Sequence, residues 1–318
     1  GGGLVMAELD KKAAELGIDL TARIGDISFK NPIMTASGTF SARESGAFYD
    51  ISELGAAVTK GVALEPWPGN DTPRIAETYG GMLNAVGLQN PGVEEYKKKE
   101  LPYLKNYDTK IITNIAGHSI EEYCGAIEAL NGCKEISMFE VNISCPNVSR
   151  GGAAFGTDPK LAAEVTKAVK KVSQKPVIIK LTPNVTDITE IAKAVEAEGA
   201  DAVSLINTLL GMHIDLRRRK ATLARKVGGF SGPAVKPVAL RMVWQVAQAV
   251  HIPVIGLGGI SSGTDVVEFL AAGASAVGIG TAVLADPLAM VRIKEELIDY
   301  MHENGWSTLS ELRHAFNI

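Results

Sequence analysis

Eight short apolar runs, each ending in small or polar residues, limit how this chain can fold more than any other feature. The runs are residues 33–37, 56–60, 111–114, 139–144, 177–180, 202–207, 254–258 and 276–280. Helical patterns lie between most of them, at residues 119–130, 158–172, 186–198, 237–249 and 263–272, and one at 286–302 closes the chain. Nearly continuous apolar strands that alternate with helices indicate a parallel sheet covered by helices.

The number of repeating units predicts an α/β fold, a closed (β/α)8 or TIM barrel, rather than an open sheet. An open sheet usually has fewer strands and carries a nucleotide fingerprint at its first turn, but Ser37-Gly38-Thr39-Phe40 does not match GxGxxG. A short hairpin around Gly25 precedes the first unit. Because no linker or change of composition divides the chain, we expect one barrel domain over residues 21–318. Residues 1–20 are an N-terminal extension to which the sequence assigns no role.

Two long insertions interrupt the repeat, at residues 61–106 and 209–235. Both follow the carboxyl end of a predicted strand, which in a barrel is the face that carries the active site. The first insertion carries PWPGN and GGMLNAVGLQNPG, in which glycine and amide residues are too frequent for a helix. The second contains Arg217-Arg-Arg-Lys220, a short charge run that we interpret as a solvated loop rather than a binding patch.

Composition excludes several classes of function. The chain has 318 residues, of which 46% are hydrophobic and 21% charged, and a formal net charge of -4, so it is expected to be a soluble globular protein with no general attraction to nucleic acid. Cys124, Cys133 and Cys145 form no CxxC and no spacing with histidine typical of zinc, which predicts a reduced, cytoplasmic protein without a metal site. No basic leader and no uncharged apolar run long enough to cross a bilayer is found, so no membrane association is expected.

Polar residues end most of the predicted strands, and in a barrel these ends face one another. The terminal residues are Ser37, Lys60, Asn114, Asn142, Lys180, Asn207, Gly258 and Gly280. A lysine that ends an apolar run is costly to bury unless its charge is used. Lys60 and Lys180 therefore predict an anionic ligand, and the alternative is that each lysine extends past the rim into solvent.

Two glycine loops follow the seventh and eighth strands, at residues 256–263 and 278–281. Loops in these positions, whose backbone N–H groups approach a ligand in front of a helix N-terminus, form the phosphate site of many barrels, although ordinary turn glycines are the alternative. A phosphate here and amides around the rim predict a phosphorylated cofactor across the mouth, and FMN fits. Lys180 would then stabilise negative charge on the reduced flavin.

Residues 139–156 predict a strand that delivers Cys145 into a glycine-rich loop. Asn142 and Asn147 on either side of Cys145 could hold a planar polar substrate against the thiol. The alternative is a buried structural cysteine in a turn fixed by Pro146. A cysteine has an unperturbed pKa of about 8.5, so this thiol could act as a base near neutral pH once lysine or amide groups favour the thiolate.

Several motifs together resemble the class 1 dihydroorotate dehydrogenases. They are Asn142-Ile-Ser-Cys-Pro-Asn147 with the following Gly151-Gly152 and Phe155-Gly156, then Thr59-Lys-Gly61, residues 82–91, Asn207-Thr208 and the two glycine loops. The continuation GGxxFGTDP resembles the B form, a catalytic subunit that works with an iron-sulfur flavoprotein partner. The resemblance implies FMN-dependent oxidation of (S)-dihydroorotate to orotate in de novo pyrimidine (UMP) biosynthesis, with electrons passed through the partner to NAD+.

The resemblance also implies roles for individual residues, with Cys145 as the catalytic base. The substrate set is Lys60, which could pair with the substrate carboxylate, Asn84, Ala85, Val86, Gly87, Leu88, Asn142, Asn207 and Thr208. The FMN set is Ser37, Lys60, Gly61, Asn114, Asn142, Lys180, Ile206, Gly232, Gly258, Gly259, Gly280 and Thr281. One FMN per chain is implied, with FAD and a 2Fe-2S cluster only on the partner, in a heterotetramer of two plus two subunits.

Four alternatives stay open at this point. Two are flavin enzymes: the class 1A form, which passes electrons to fumarate without a partner, and an oxidoreductase like dihydropyrimidine dehydrogenase, which shares NxSCPN. The third is a Schiff-base aldolase that uses Lys180, with the phosphate on its substrate. The fourth is a barrel that acts only as a binding subunit. A yellow protein would exclude the last two.

Overall fold

The computed structural model describes residues 6–145 and 154–318. Its strands are, in chain order, β1 Ala22–Ile24, β2 Ile27–Phe29, β3 Ile33–Thr35, β4 Ala56–Val58, β5 Ile75–Thr78, β6 Gly81–Asn84, β7 Lys110–Ile115, β8 Ile136–Asn142, β9 Val177–Lys180, β10 Ala202–Leu205, β11 Leu209–Met212, β12 Ile214–Asp215, β13 Lys220–Ala221, β14 Val227–Ser231, β15 Val254–Leu257 and β16 Ala276–Ile279. The helices are α1 Glu8–Glu15, α2 Ala42–Ser45, α3 Gly92–Glu95, α4 Leu101–Leu104, α5 Ile120–Leu130, α6 Pro159–Val172, α7 Ile188–Ala197, α8 Lys236–Ala249, α9 Gly263–Ala271, α10 Ala282–Ala285, α11 Ala289–Glu303 and α12 Leu309–His314.

Eight parallel strands close into a barrel at the centre of the molecule. Around the barrel they run β10-β15-β16-β3-β4-β7-β8-β9, and β9 pairs again with β10. These are the eight apolar runs, so the predicted (β/α)8 barrel is confirmed. The register pairs Asn114 with Glu140, Asn142 with Lys180 and Lys180 with Ser204. It therefore gathers polar residues of four adjacent strands at neighbouring positions.

The surrounding helices begin where the sequence supplies a side chain that caps them. Ser119, Asp158, Asp187, Ser262 and Thr308 each accept a hydrogen bond from a backbone N–H of the first helical turn. The six predicted helices are found as α5, α6, α7, α8, α9 and α11. The expectation that the segment at 286–302 closes the chain is wrong, because α12 follows it. Within the described ranges, no helix combines the length and apolarity needed to cross a bilayer.

The two insertions fold together. Strands β5 and β6 of the first and β11 and β14 of the second form one antiparallel sheet in the order β11-β14-β6-β5. The two glycine- and amide-rich segments of the first insertion, residues 66–70 and 80–91, contain no helix, as expected, but the insertion becomes helical from Gly92 to Leu104, including a π-helical segment Tyr96–Glu100. Just before this helix, Asn90 Oδ1 accepts from the N–H of Gly92 at 3.0 Å. The arginine run lies exposed between β12 and β13, as predicted.

A buried ionic cluster joins α1 to the barrel. Lys294 of α11 is only 1% exposed, and its Nζ donates to Asp10 Oδ1 at 2.6 Å, to Glu53 Oε2 at 2.7 Å and to the Glu53 carbonyl at 2.8 Å. The Leu9 N–H donates to the other oxygen of Glu53. The described part of the N-terminal extension is thus packed on the barrel, and the domain boundary at residue 20 stays a prediction.

Replacing the central cation of this cluster is expected to destabilise the fold strongly. Lys294→Met should lower the free energy of unfolding by about 3–5 kcal/mol, because the buried Glu53 carboxylate loses its cation. Lys12→Met is the matched control on the same helix pair, since its ion pairs with Glu295 and Asp299 are solvent-exposed and should cost no more than about 1 kcal/mol. Urea unfolding followed by circular dichroism measures both, and equal losses in the two variants would contradict the assignment.

Candidate active site

The carboxyl ends of the barrel strands meet at one mouth, and the sequence-predicted residues lie around it. Asn142 and Lys180 are the last residues of β8 and β9, and Asn114 lies one residue before the end of β7. The remaining predicted residues follow a barrel strand or lie on β6 and the loop after it, except Gly232, which follows β14 of the insertion sheet. The mouth is therefore the candidate active site.

Asn142 and Asn207 form a fixed array of amides. Asn207 Nδ2 donates to Asn142 Oδ1 and to Ser144 Oγ, both at 3.0 Å, and the Ser144 N–H donates to Asn142 Oδ1 at 3.1 Å. The Thr208 N–H donates to Asn207 Oδ1 at 2.8 Å. Because each amide is held by a neighbour, its donors and acceptors have set directions before any ligand binds.

The insertion sheet brings Asn84 close to this array. Asn84 pairs with Gly229 of β14, and Thr208 lies so near Gly229 that a Cβ there would be 2.0 Å from Thr208 Oγ1. Only glycine leaves room for this close approach. The insertion sheet thus brings Asn84 beside Gly229, which lies against Thr208, the last residue before the second insertion.

The loop of residues 85–88 is held over the barrel by Asn70. Asn70 Nδ2 donates to the Ala85 carbonyl at 3.0 Å, and its N–H donates to the Val86 carbonyl at 2.9 Å. A Cβ at Gly87 would lie 2.6 Å from the Asn70 side chain, and Leu88 Cδ2 lies 3.3 Å from where a Cβ of Gly61 would be. Through Leu88, this loop therefore lies against Gly61, the residue that follows Lys60.

Lys180 is buried, at 5% exposure, and within the described residues its ammonium makes no hydrogen bond or ion pair. The alternative that this lysine extends into solvent is therefore wrong. Lys60 is half-buried, and burial lowers its pKa, helped by the nearby positive charge of Arg74. Because neither lysine has a carboxylate partner among the described residues, and Arg74 adds a third cation, the mouth is suited to an anion.

The two glycine loops form a cradle of backbone N–H groups. In the part of the chain that the structure describes, the N–H groups of Gly258, Gly259, Gly280 and Thr281 donate to no protein acceptor. Gly258 and Gly259 have φ of 126° and 74°, and a Cβ on them would lie 2.5 Å from Ala239 and 2.8 Å from the Gly232 carbonyl. Gly258 and Gly259 therefore leave no space for side chains, and four backbone donors of the two loops lack a protein acceptor within the described ranges.

The cradle differs in one respect from the expected phosphate site. The N-terminus of α9 is occupied by its own Asp265, whose Oδ2 accepts from the N–H groups of Ser261 and Ser262. Lys236 in turn pairs with Asp265 at 2.7 Å. The loop N–H groups, rather than this helix terminus, are thus the available anion donors.

Cys145 lies three residues after β8 and is 2% exposed. Burial raises the pKa of the thiol, while the backbone N–H of Gly117 and the hydroxyl of Tyr123 lower it in part. The expectation that lysine or amide groups would favour the thiolate is wrong in the net direction of the pKa shift. Burial, which disfavours the thiolate, is the largest influence on this pKa, and no lysine contributes. Asn147, Gly151 and Gly152, named in the sequence motif, lie outside the described residues.

Tyr123 is a site residue that sequence reasoning missed. Its hydroxyl donates its single proton to the Asn142 carbonyl at 2.5 Å and also lies against Cys145, so it donates to the thiolate only after it turns from that carbonyl. Its ring meets Phe155 edge-on, with the ring centroids 5.4 Å apart. On α5 it follows the spacing of the core residues, which conceals its role. The signal that could have found it is the need of a buried tyrosine hydroxyl for a polar partner.

The fold and the mouth together define a class of protein, a TIM-barrel enzyme whose active-site face carries three basic side chains. In the described ranges, no group of three or more His, Cys, Asp or Glu side chains could hold a metal ion. The family model described as "Dihydroorotate dehydrogenase" matches residues 19–301. The chain belongs to the dihydroorotate dehydrogenase family.

Relatives with the same description agree over nearly their whole length. The chain is 58% identical to the "Dihydroorotate dehydrogenase B (NAD(+)), catalytic subunit" of Alkaliphilus metalliredigens over 297 residues, covering 93% of this chain and 98% of the relative. The protein of that description in Geobacter metallireducens is 54% identical, over 94% and 99% of the two chains. The chain also superposes on a crystal structure of a DHODH from Eimeria tenella in complex with ferulenol, with a TM-score of 0.76 over 92% of this chain and 87% of that one. Because the two sequences are only 19% identical, this likeness supports the fold alone.

Removing the Tyr123 hydroxyl is expected to make the Cys145 thiolate harder to form. Tyr123→Phe should raise the pKa of Cys145 further, so that alkylation of this thiol by iodoacetamide slows by at least about threefold at a fixed pH and its midpoint moves to higher pH. Peptide mapping by mass spectrometry separates Cys145 from the other two thiols. Tyr96→Phe is the matched control, because the buried hydroxyl of Tyr96 bonds Thr113 instead. An unchanged dependence of Cys145 alkylation on pH in Tyr123→Phe would refute the role of the Tyr123 hydroxyl.

Proposed function

We propose that this chain is the catalytic subunit of an NAD+-linked dihydroorotate dehydrogenase and oxidises (S)-dihydroorotate to orotate in pyrimidine biosynthesis. The observation that carries the proposal is the arrangement of the mouth. Within the described residues, a buried thiol and a fixed amide array share it with a buried lysine that has no partner and with loop N–H groups that have no protein acceptor. Its family and the names of its relatives support the same reaction.

The residues present fit FMN. The four free N–H groups at Gly258, Gly259, Gly280 and Thr281 suit a phosphate. Asn114 Oδ1 is buried and has no hydrogen-bond partner in the described part of the chain, which suits a ring N–H. Ser37, Gly61, Asn142, Ile206 and Gly232 complete the set that would hold the cofactor, and Lys180 would lie near its ring. When bound, FMN supplies a two-electron acceptor for hydride.

Cys145 would act as the base. Oxidation of dihydroorotate removes a proton from C5 and a hydride from C6, so one side chain must accept the proton. Cys145 suits this task because it is buried next to the substrate array and because Gly117 and Tyr123 offset part of the cost of its thiolate. Since burial still raises its pKa, proton abstraction should become faster as the pH rises toward that pKa.

The substrate would be held by charge and by amides. Lys60 and Arg74 supply positive charge for the carboxylate, and Asn84, Asn142, Asn207 and Thr208 match the polar edges of the pyrimidine ring. The loop Ala85-Val86-Gly87-Leu88 would close over the substrate. Burial of the thiol and of Lys180 in the same mouth keeps the reacting groups away from bulk water.

One experiment tests the function as a whole. Purified protein should release FMN, not FAD, on denaturation, and anaerobic dihydroorotate should bleach the visible absorption of the bound flavin. Bleaching requires both the cofactor and the substrate chemistry. A colourless protein, or a flavin that dihydroorotate leaves oxidised, would overturn the proposal.

Substitution of Cys145 is expected to separate binding from chemistry. Cys145→Ala should keep FMN and orotate binding but lose flavin reduction by several orders of magnitude, because no base accepts the C5 proton. Cys145→Ser should keep weak activity that rises toward high pH, since a serine hydroxyl is a poorer base at neutrality. Stopped-flow bleaching measures the rate, and Cys124→Ser, at the half-buried thiol of α5, is the control. A near-normal rate in Cys145→Ala would exclude the role.

We further propose that electrons leave through a separate iron-sulfur flavoprotein subunit that carries FAD and a 2Fe-2S cluster and reduces NAD+, in an assembly of two plus two chains. The names of the relatives as NAD(+) catalytic subunits support it. A cytoplasmic location is also proposed, supported by three free thiols.

The isolated chain is expected to turn over dihydroorotate with artificial dyes but to reduce NAD+ negligibly. It has no dinucleotide fingerprint and too few cysteines to ligate a cluster, so the path to NAD+ needs the partner. Steady-state assays with dye, NAD+ and fumarate, with and without the co-expressed partner, measure this. Rapid turnover with fumarate by the chain alone would favour the class 1A alternative instead.

A further inference from the structure

Glu140 of β8 is a buried carboxylate that the proposed mechanism does not use. It is 2% exposed and lies inside the barrel. Its Oε1 accepts from Asn114 Nδ2 at 2.7 Å, and its Oε2 accepts from Ser204 Oγ at 2.8 Å. Asn114 and Ser204 are both 0% exposed, so three side chains from β7, β8 and β10 form one closed polar chain beneath the mouth.

The surroundings show that Glu140 is not part of a structural ion pair. In the described ranges, no lysine or arginine nitrogen lies within 4.0 Å of it, whereas buried Glu53 pairs with Lys294 and buried Asp265 pairs with Lys236. A buried carboxylate with only neutral donors is costly to keep. Its position two residues before Asn142 and beside Asn114 points to a function at the mouth.

The contact with Glu140 determines which way the Asn114 amide faces. Because Glu140 Oε1 accepts from the Asn114 NH2 group, the oxygen of the same amide is turned to the other side. That oxygen lies on the side of Gly61, 3.2 Å from where a Cβ of Gly61 would be, and it has no partner among the described residues. Asn114 is thereby made a pure acceptor toward the mouth.

We propose that Glu140 is a positioning residue for the cofactor: it holds the Asn114 amide so that Oδ1 accepts an imide N–H of the flavin ring. This inference rests on the proposed binding of FMN. The ligand chemistry follows from the geometry, because a buried acceptor without a partner selects a ring edge that donates and disfavours one that offers only carbonyl oxygens. Ser204 steadies the second oxygen of Glu140 and so fixes the carboxylate itself.

The test is a double-mutant cycle on FMN affinity, measured with apoprotein by quenching of FMN fluorescence. In the protein with wild-type Asn114, Glu140→Leu should weaken FMN binding by about tenfold or more. In the Asn114→Ala variant the same substitution should weaken it by less than about twofold, because Glu140 acts through the Asn114 amide. Glu140→Gln, which can still accept from Asn114, should stay within about threefold of wild type. Thr166→Val, which removes a buried hydrogen bond within α6, should leave the affinity unchanged.

A donor-acceptor exchange covers the case in which Glu140→Leu does not fold. Asn114→Asp places two carboxylates together and should weaken FMN binding by about tenfold or more, and adding Glu140→Gln should restore most of it, because the glutamine NH2 then donates to the introduced carboxylate. Equal effects of Glu140→Leu in both backgrounds, or an exchange without rescue, would overturn the positioning role. Wild-type protein that binds no FMN would instead overturn the proposed function.

Discussion

Closure of the parallel barrel is the constraint on which the rest of the structure depends. A closed ladder leaves no free strand edge, and it gathers the carboxyl ends of all eight strands at one rim. Polar residues at those ends are forced into a small volume from which most water is excluded, so each needs a partner from another strand or from a ligand. Asn142 bonds Asn207, and Glu140 bonds Asn114 and Ser204, whereas Lys180 Nζ and Asn114 Oδ1 have no partner within the described residues.

Burial in the mouth disfavours the thiolate form of Cys145. Removing Cys145 from water raises its pKa, and the nearest compensation comes from a backbone N–H and a tyrosine hydroxyl rather than from a full positive charge. A cation beside the thiol would lower its pKa further but would also hold the proton less firmly once it was transferred. A general base must be deprotonated before it can accept a proton, so the raised pKa means that the thiolate of Cys145 becomes more available as the pH rises.

Most of the fold and much of the site could be predicted from the sequence, because both depend on short-range patterns. Apolar runs indicated all eight strands, and the residues at their ends marked the mouth. Tyr123 was missed because its spacing on α5 is that of a core residue, and Arg74 because only the folded insertion brings it near Lys60. The net direction in which the pKa of Cys145 shifts could not be predicted either, since the extent of burial depends on how distant segments pack. The helix α12 was missed because it has only six residues.

The shared sheet of the two insertions has a consequence for how such a site can change. Residues separated by more than a hundred positions pair along β6 and β14, so the strand that bears Asn84 and the segment that bears Thr208 are one mechanical unit. A change of length in either insertion would shift the register of the other and move Asn84 or Thr208 without changing the barrel. New specificity on this scaffold would therefore have to be acquired, or transplanted by an engineer, as a matched pair of insertions.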